Sequence, residues 1–89
     1  MAKKRRKLNK DFEKKIYSSK KNVELVLAKI YDIDDEDIQK EYMSAFNGVA
    51  NLYDQVKENY EQEGFNDNSE ELLTNYKNAF NLFESKFEI

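Results

Sequence analysis

Residues 34–64 read DDEDIQKEYMSAFNGVANLYDQVKENYEQEG, and this stretch decides the fold. Its apolar residues recur at spacings of three and four: Ile38, Tyr42, Ala45, Val49, Leu52, Val56 and Tyr60. Such spacing places side chains on one face of a helix. The closing Gly64 can take a left-handed conformation and end a helix. We therefore predict a long central helix over residues 35–63.

The residues before and within this helix predict its details. We expect Asp34 to be the N-cap, with Ile33 and Ile38 forming a hydrophobic staple across it. Gly48 interrupts the helical pattern, at a cost of about 1 kcal/mol relative to alanine. We expect it either to allow close packing against a neighbouring helix or to kink the central helix and divide the bundle into four pieces.

The segment before the central helix has an apolar stripe of its own. From Phe12 to Ile33 the spacing alternates between four and three, which is a heptad seam with one polar member, Ser19. Asn9 is a suitable N-cap for it. We predict an unbroken first helix over residues 9–31.

A third apolar segment follows the polar loop after Gly64. Asn68 and Glu71 have the spacing of a capping box, and apolar residues recur from Leu72 to Phe87. We predict a third helix over residues 69–87. Three helices with short connections favour an all-α protein, an antiparallel three-helix bundle with a basic N-terminal arm.

Composition excludes several classes of site. The 89 residues suffice for one domain, which we place at residues 9–89 after an arm over residues 1–8. Cys and His are both absent, which removes disulfides, thiolate metal sites and the usual nucleophile–base pairs. No glycine-rich phosphate loop and no long apolar run occurs. We expect no cofactor, no enzymatic activity and no membrane contact, and we expect a cytoplasmic protein.

The acidic residues from Asp32 to Asp37 resemble a calcium loop only in part. Asp37 stands where such a loop has its turn glycine, and Met43 stands where it has its bidentate glutamate. We interpret these carboxylates as helix caps and expect no metal.

The charge is divided unevenly along the chain. Residues 1–21 hold ten Lys or Arg against two acidic residues, which gives +8, whereas residues 22–89 hold five against sixteen, which gives −11. Such a division predicts two surfaces with opposite electrostatic preferences. Lys outnumbers Arg thirteen to two and Asn appears ten times, a bias typical of AT-rich genomes such as those of some phages or plasmids.

The basic segment supplies the candidate contacts to phosphate or nucleic acid: Lys3, Lys4, Arg5, Arg6, Lys7, Lys10, Lys14 and Lys21. At 100° per residue, the lysines of the first helix and Tyr17 project nearly opposite its apolar seam. On the central helix, Asp54, Glu58 and Glu61 lie along one side. We expect these three and Tyr17 to contact a partner.

Two functions fit this division of charge. The first is a non-enzymatic inhibitor or adaptor that docks on a protein or nucleoprotein, with the basic arm contacting phosphates or an acidic patch. The second is an accessory protein that binds DNA or RNA through the arm and first helix, and forms a homodimer through an uncovered part of the central seam. A solvated tail, or one that folds back on the acidic helices, stays open as an alternative.

Overall fold

The structure, a computed structural model, describes residues 7–88, and over this range the chain forms three helices and no strand. α1 spans Lys10–Tyr31, α2 spans Glu36–Glu63 and α3 spans Ser69–Phe87. The all-α prediction is confirmed, and each predicted helix boundary lies within one residue of the observed one. The helical bundle is elongated, with extents of 55 × 24 × 17 Å.

Aromatic pairs hold α3 along α2. The ring centroids of Tyr42 and Phe87 are 4.7 Å apart, and those of Tyr53 and Tyr76 are 5.9 Å apart. The first turns of α2 therefore lie beside the last turns of α3, and residues later in α2 lie beside residues earlier in α3. Each tilted or edge-on pair adds about 0.5–1.5 kcal/mol beyond the burial of its area.

α1 contacts α2 at both ends. The rings of Phe12 and Tyr60 lie 5.5 Å apart at the start of α1. At its end, the Gln39 amide of α2 donates to the main-chain oxygens of Ile30 and Tyr31, at 3.1 and 3.2 Å. The two contacts fix the register of α1 on α2.

The three helices share one buried core: Phe12, Val23, Val26, Ile30, Phe46, Val49, Tyr53, Val56, Leu73, Tyr76 and Phe83. Most of the predicted α1 seam is buried, although Ile16 and Ile33 are only half-buried, and the helix runs unbroken past Ser19. The predicted stripe of α2 is partly wrong, because Ala45 is exposed and Phe46 is fully buried. Burying large aromatic rings removes more apolar surface from water than burying Ala, so the buried arc of α2 includes Phe46 and Tyr53.

The predicted start of α2 is wrong by one residue. The N-cap is Asp35, not Asp34, and its carboxylate accepts from the N–H groups of Asp37 and Ile38 at 2.9 and 3.1 Å. A hydrophobic staple joins the residue before the N-cap to the fourth residue of the helix. With Asp35 as the cap, these residues are Asp34 and Gln39, so Ile33 and Ile38 are no longer at the staple positions. Ile38 is 44% exposed.

Within residues 7–88, Gly48 neither divides α2 nor packs closely against another helix. α2 continues through Gly48 without a break, and Gly48 is exposed. A Cβ atom added there meets nothing within 4 Å, so no neighbouring helix of this chain packs closely against it. The glycine lies on the outer side of the α2–α3 pair.

Gly64 ends α2, but in a different conformation from the one predicted. Its φ is 74° and its ψ is −166°, so φ is positive while ψ is extended rather than left-handed helical. The extended exit brings the Phe65 ring to 5.2 Å from the Phe12 ring. The Phe65 N–H donates to the main-chain oxygen of Lys7 at 2.6 Å. The loop therefore holds Lys7, which precedes α1.

The predicted capping box of α3 does not form. Asn68 is the N-cap, but its side chain makes no capping hydrogen bond. Instead, the Asn66 side chain accepts from the Asn68 N–H at 2.8 Å, and the Ser69 hydroxyl accepts from the Asn66 N–H at 2.9 Å. Both bonds join Asn66 to residues two or three positions later, so the loop forms a turn just before α3 begins.

Candidate interaction surfaces

The outer side of α1 carries a stripe that we call the basic face: Lys10, Lys14, Tyr17 and Lys21. All four side chains are exposed. The Lys21 ammonium lies 5.0 Å from the centroid of the Tyr17 ring, a cation–π contact. Within residues 7–88 none of the three lysines forms an ion pair; the pair described there joins Lys15 to Glu70 at 3.8 Å. Their charges are available to another molecule.

The other predicted cations do not belong to this stripe. Lys7 precedes α1, and its main chain forms an isolated bridge with Gly64. Its side chain is exposed near the loop between α2 and α3. Lys3, Lys4, Arg5 and Arg6 lie outside the described residues.

A second surface, the acidic face, consists of Asp54, Glu58 and Glu61 on α2, all of them exposed. Burial raises the pKa of the Tyr53 hydroxyl, and the carboxylates of Asp54, Glu24 and Glu61 raise it further. Glu24 belongs to α1, so negative charge gathers from two helices. Sequence reasoning missed Glu24, because only the pairing of α1 with α2 brings it here.

Tyr17 and the acidic face lie on different helices. Tyr17 projects from α1 among lysines, whereas the acidic face belongs to α2. The residues predicted to contact a partner therefore form two surfaces of opposite charge. A small partner with charges of one sign is attracted either to the basic face or to the acidic face, but not to both.

A hydrogen-bond network fixes the start of α1, from which the basic face extends. The Asn9 side chain accepts from the Phe12 N–H at 2.9 Å, the predicted N-cap. The Asn9 N–H donates to the Tyr60 hydroxyl at 3.0 Å, and that hydroxyl donates to the Glu13 carboxylate. Both bonds to Tyr60 join α1 to the end of α2.

A polar groove separates α1 from α3. No Cα atom of α1 comes within 8 Å of one in α3, and both helices lie wholly within the described range. The groove has a volume of about 310 Å³, and its lining includes Ser19, Asn22, Tyr76 and Phe80. The Tyr76 hydroxyl donates to the main-chain oxygen of Ser19 at 3.4 Å. The groove offers hydrogen-bonding groups to a ligand.

Tyr76 is the most perturbed titratable group described. Burial raises the pKa of its hydroxyl to about 12; a hydrogen bond with the Ser19 side chain lowers that pKa, and the charges of Tyr53 and Glu84 raise it. A hydroxyl with this pKa stays protonated at neutral pH. It therefore acts as a donor and not as a base.

The helices leave another groove between α2 and α3, which sequence reasoning missed. Its volume is about 360 Å³, and α2 and α3 alone line it. Leu82 at its edge is 72% exposed. Periodicity placed Ala45 and Leu52 on the core stripe of α2; Ala45 is exposed, whereas Leu52 is half-buried against the core and also lines this groove. Periodicity does not show which neighbour covers an apolar residue.

Two kinds of site were searched for among residues 7–88: a group of metal-ligating side chains and a membrane-spanning helix. No cluster of three acidic side chains there could hold a metal ion. None of the three helices has an apolar stretch long enough to cross a bilayer. The carboxylates at Asp34 and Asp37 are exposed, and Asp35 between them caps α2.

Comparisons with known proteins gave no match to a protein-family model, a curated protein or a solved structure. Function is therefore argued from the surfaces described above. The basic face, the acidic face and the two grooves differ in charge and polarity, so each favours a different kind of ligand.

Proposed function

We propose that this protein is a non-enzymatic interaction protein that docks on a protein or nucleoprotein partner. It is an antiparallel three-helix bundle with a basic arm over residues 1–8. The basic face contacts phosphates or an acidic patch of the partner. The observation that carries this proposal is the stripe of exposed lysines at Lys10, Lys14 and Lys21, none of which is neutralised by a carboxylate within residues 7–88.

The spacing of these lysines suits an extended anion. Lys14 lies one helical turn after Lys10, and Lys21 two turns further, which corresponds to rises of about 6 and 10 Å at 1.5 Å per residue. Phosphates of a nucleic acid strand advance by about 3.4 Å each, so the three ammonium groups can neutralise phosphates several steps apart. Release of the counterions that those phosphates held favours binding.

The opposite charges direct how a partner approaches. A polyanion is attracted to the outer side of α1 and repelled by the acidic face of α2, which Glu24 reinforces. A partner with both signs of charge can contact both faces at once. Charge complementarity of this kind determines orientation and association rate more than affinity.

The alternative is an accessory protein that binds nucleic acid, and the position of Tyr17 favours it. The ring is 59% exposed and lies among the lysines of the basic face. A base of a single strand can stack on such a ring while its phosphates contact the lysines. Replacing Tyr17 by alanine separates the two functions, because it weakens binding of single-stranded DNA and leaves binding of an acidic peptide unchanged.

The experiment compares two triple variants that lose the same charge. One changes Lys10, Lys14 and Lys21 to glutamine; the control changes Lys29, Lys40 and Lys77, which are also exposed. Binding of a labelled single-stranded DNA and of a poly-glutamate peptide is measured by fluorescence anisotropy. We expect the first variant to bind at least about tenfold more weakly and the control to stay within about twofold. An equal loss in both variants, or no binding by the wild type, contradicts the proposal.

A further inference from the structure

The groove between α2 and α3 lies in a part of the surface that is poor in charge: of the residues that line it, Lys86 alone is charged. We call it the uncharged face: Ala45, Gly48, Leu52, Ala79 and Leu82. No charged residue occurs between Glu41 and Asp54 on α2, or between Lys77 and Glu84 on α3. Charged residues make up 37% of the chain, so this gap is specific to one region. Depletion of charge is the compositional signature of the core of a protein interface.

Gly48 gives a separate indication that another molecule approaches here. Inside a helix it costs about 1 kcal/mol relative to alanine. Nothing within residues 7–88 comes within 4 Å of an added Cβ atom, so the described packing gives no reason for a glycine. A helix of another molecule that crosses at Gly48 and Ala79 would explain the glycine, since small residues let two helix backbones come close.

We infer that a second copy of this chain covers the uncharged face in a two-fold symmetric dimer. On α3, Glu71, Leu82 and Lys86 point within about 60° of one another at 100° per residue. Ala79 lies midway between Glu71 and Lys86 along the helix. A two-fold axis near Ala79 therefore brings Lys86 of each copy to Glu71 of the other, because such an interface is self-complementary.

The rims of the face agree with this arrangement. Glu71 and Lys86 are exposed, and Lys86 packs over the ring of Phe87, 5.6 Å from its centroid. Paired across the axis, they form two ion pairs that flank an apolar centre containing both copies of Leu82. A polar rim around an apolar centre is the usual anatomy of an interface.

The size of the face sets the strength of the dimer. Between Glu71 and Lys86 the helix rises about 22 Å, and two adjacent helices are about 20 Å wide, so the footprint is about 450 Å². A standard interface buries about 800 Å² per partner. The dimer therefore dissociates on dilution, and its measurement requires a range of protein concentrations.

The first test uses sedimentation equilibrium of the full chain at several concentrations. The wild type is expected to change from monomer to dimer as concentration rises, whereas Leu82→Glu stays monomeric at every concentration. The matched control is Leu25→Glu, since Leu25 is 56% exposed but belongs to α1. A control that dimerises like the wild type supports the proposal. A wild type that is always monomeric, or a dimer that only Leu25→Glu disrupts, overturns it.

Charge exchange tests the symmetry axis. Lys86→Glu alone brings two carboxylates together at each end of the interface, and Glu71→Lys brings two ammonium groups together. Each single change is expected to weaken the dimer at least about tenfold. The double variant exchanges the charges, so it should recover most of the wild-type affinity. Failure of the double variant to recover any affinity excludes the axis near Ala79.

A substitution at Gly48 separates effects on folding from effects on association. Gly48→Gln adds a good helix former at an exposed position, so the free energy of unfolding of the monomer should rise. The same side chain blocks the close approach of the second copy, so the dimer should weaken at least about tenfold. If Gly48→Gln dimerises as well as the wild type, close approach at this point is excluded. This result is independent of whether the basic face binds anions.

Discussion

The Tyr76 hydroxyl of α3 donates a hydrogen bond to the main-chain oxygen of Ser19 in α1, 3.4 Å away, across the groove between these helices. Ser19 is the polar member of the α1 seam, and it is buried. Its small side chain leaves room for the phenol of Tyr76 to reach the α1 backbone. A small polar residue is therefore tolerated at this position of the apolar seam, because the Tyr76 ring of α3 fills the space beside it.

We predict that Tyr76 makes the protein less stable at high pH. Its pKa in the folded state is raised from the ordinary 10.0 to about 12, so folding favours the protonated hydroxyl. The resulting stabilisation is complete below about pH 10 and is lost as the pH rises from about 10 to about 12. Tyr76→Phe cannot ionise, so its free energy of unfolding should fall less steeply over this range. Urea unfolding at increasing pH measures both slopes, and equal slopes contradict the prediction.

Asp35 and Asp34 form a matched pair for testing the start of α2. The Asp35 side chain accepts from two N–H groups of the first turn and is the N-cap, whereas Asp34 precedes the cap. Asp35→Ala should therefore lower the free energy of unfolding by about 1 kcal/mol. Asp34→Ala should change it by less than about 0.5 kcal/mol. Thermal unfolding of both variants measures these two changes. If Asp34→Ala lowers the free energy of unfolding more than Asp35→Ala does, then Asp34 is the N-cap and the described start of α2 is contradicted.

The two glycines should respond to alanine in opposite directions. Gly48→Ala should raise the free energy of unfolding of the monomer by about 0.5–1 kcal/mol, because the site is helical and open. Gly64→Ala should lower it by about 1–3 kcal/mol, because only glycine adopts φ 74° with ψ −166° at low cost. Urea unfolding at low protein concentration measures the monomer. A stabilised Gly64→Ala protein contradicts the described exit from α2.

The helices were predictable from sequence because their signals are local. The α1 seam, the carboxylates before α2 and the glycine after it each act within one or two turns. The cap of α2 was not predictable, since Asp34 and Asp35 are adjacent and chemically the same. The hydrogen bond from the Gln39 side chain to the main chain at the end of α1 favours Asp35 as the cap. This bond is a tertiary contact.

The orientation of α2 was predictable only in part. Tyr42, Val49 and Val56 fit a stripe with Ala45 and equally one with Phe46. The buried arc depends on how two neighbouring helices cover α2, and periodicity alone does not contain that information. For this reason an uncovered part of the central seam could be expected, but its location beside Leu82 of α3 could not.

The basic face was predictable, because helical geometry alone aligns Lys10, Lys14 and Lys21 opposite a clear seam. Lys7 could not be placed that way, since Lys7 and Leu8 are not helical and the position of Lys7 depends on a main-chain bond to Phe65. Glu24 joins the acidic face only through the packing of α1 on α2. Contacts between distant segments thus account for what sequence reasoning missed at the site.

The dependence of binding on salt tests the central claim most directly. The logarithm of the association constant for duplex DNA falls with the logarithm of salt concentration, with a slope of about −0.9 for each neutralised phosphate. If the basic face makes those contacts, changing Lys10, Lys14 and Lys21 to glutamine should reduce the size of the slope by about 2–3. The control that changes Lys29, Lys40 and Lys77 should keep the wild-type slope. An unchanged slope in the first variant, or an equal reduction in the control, contradicts binding through the basic face.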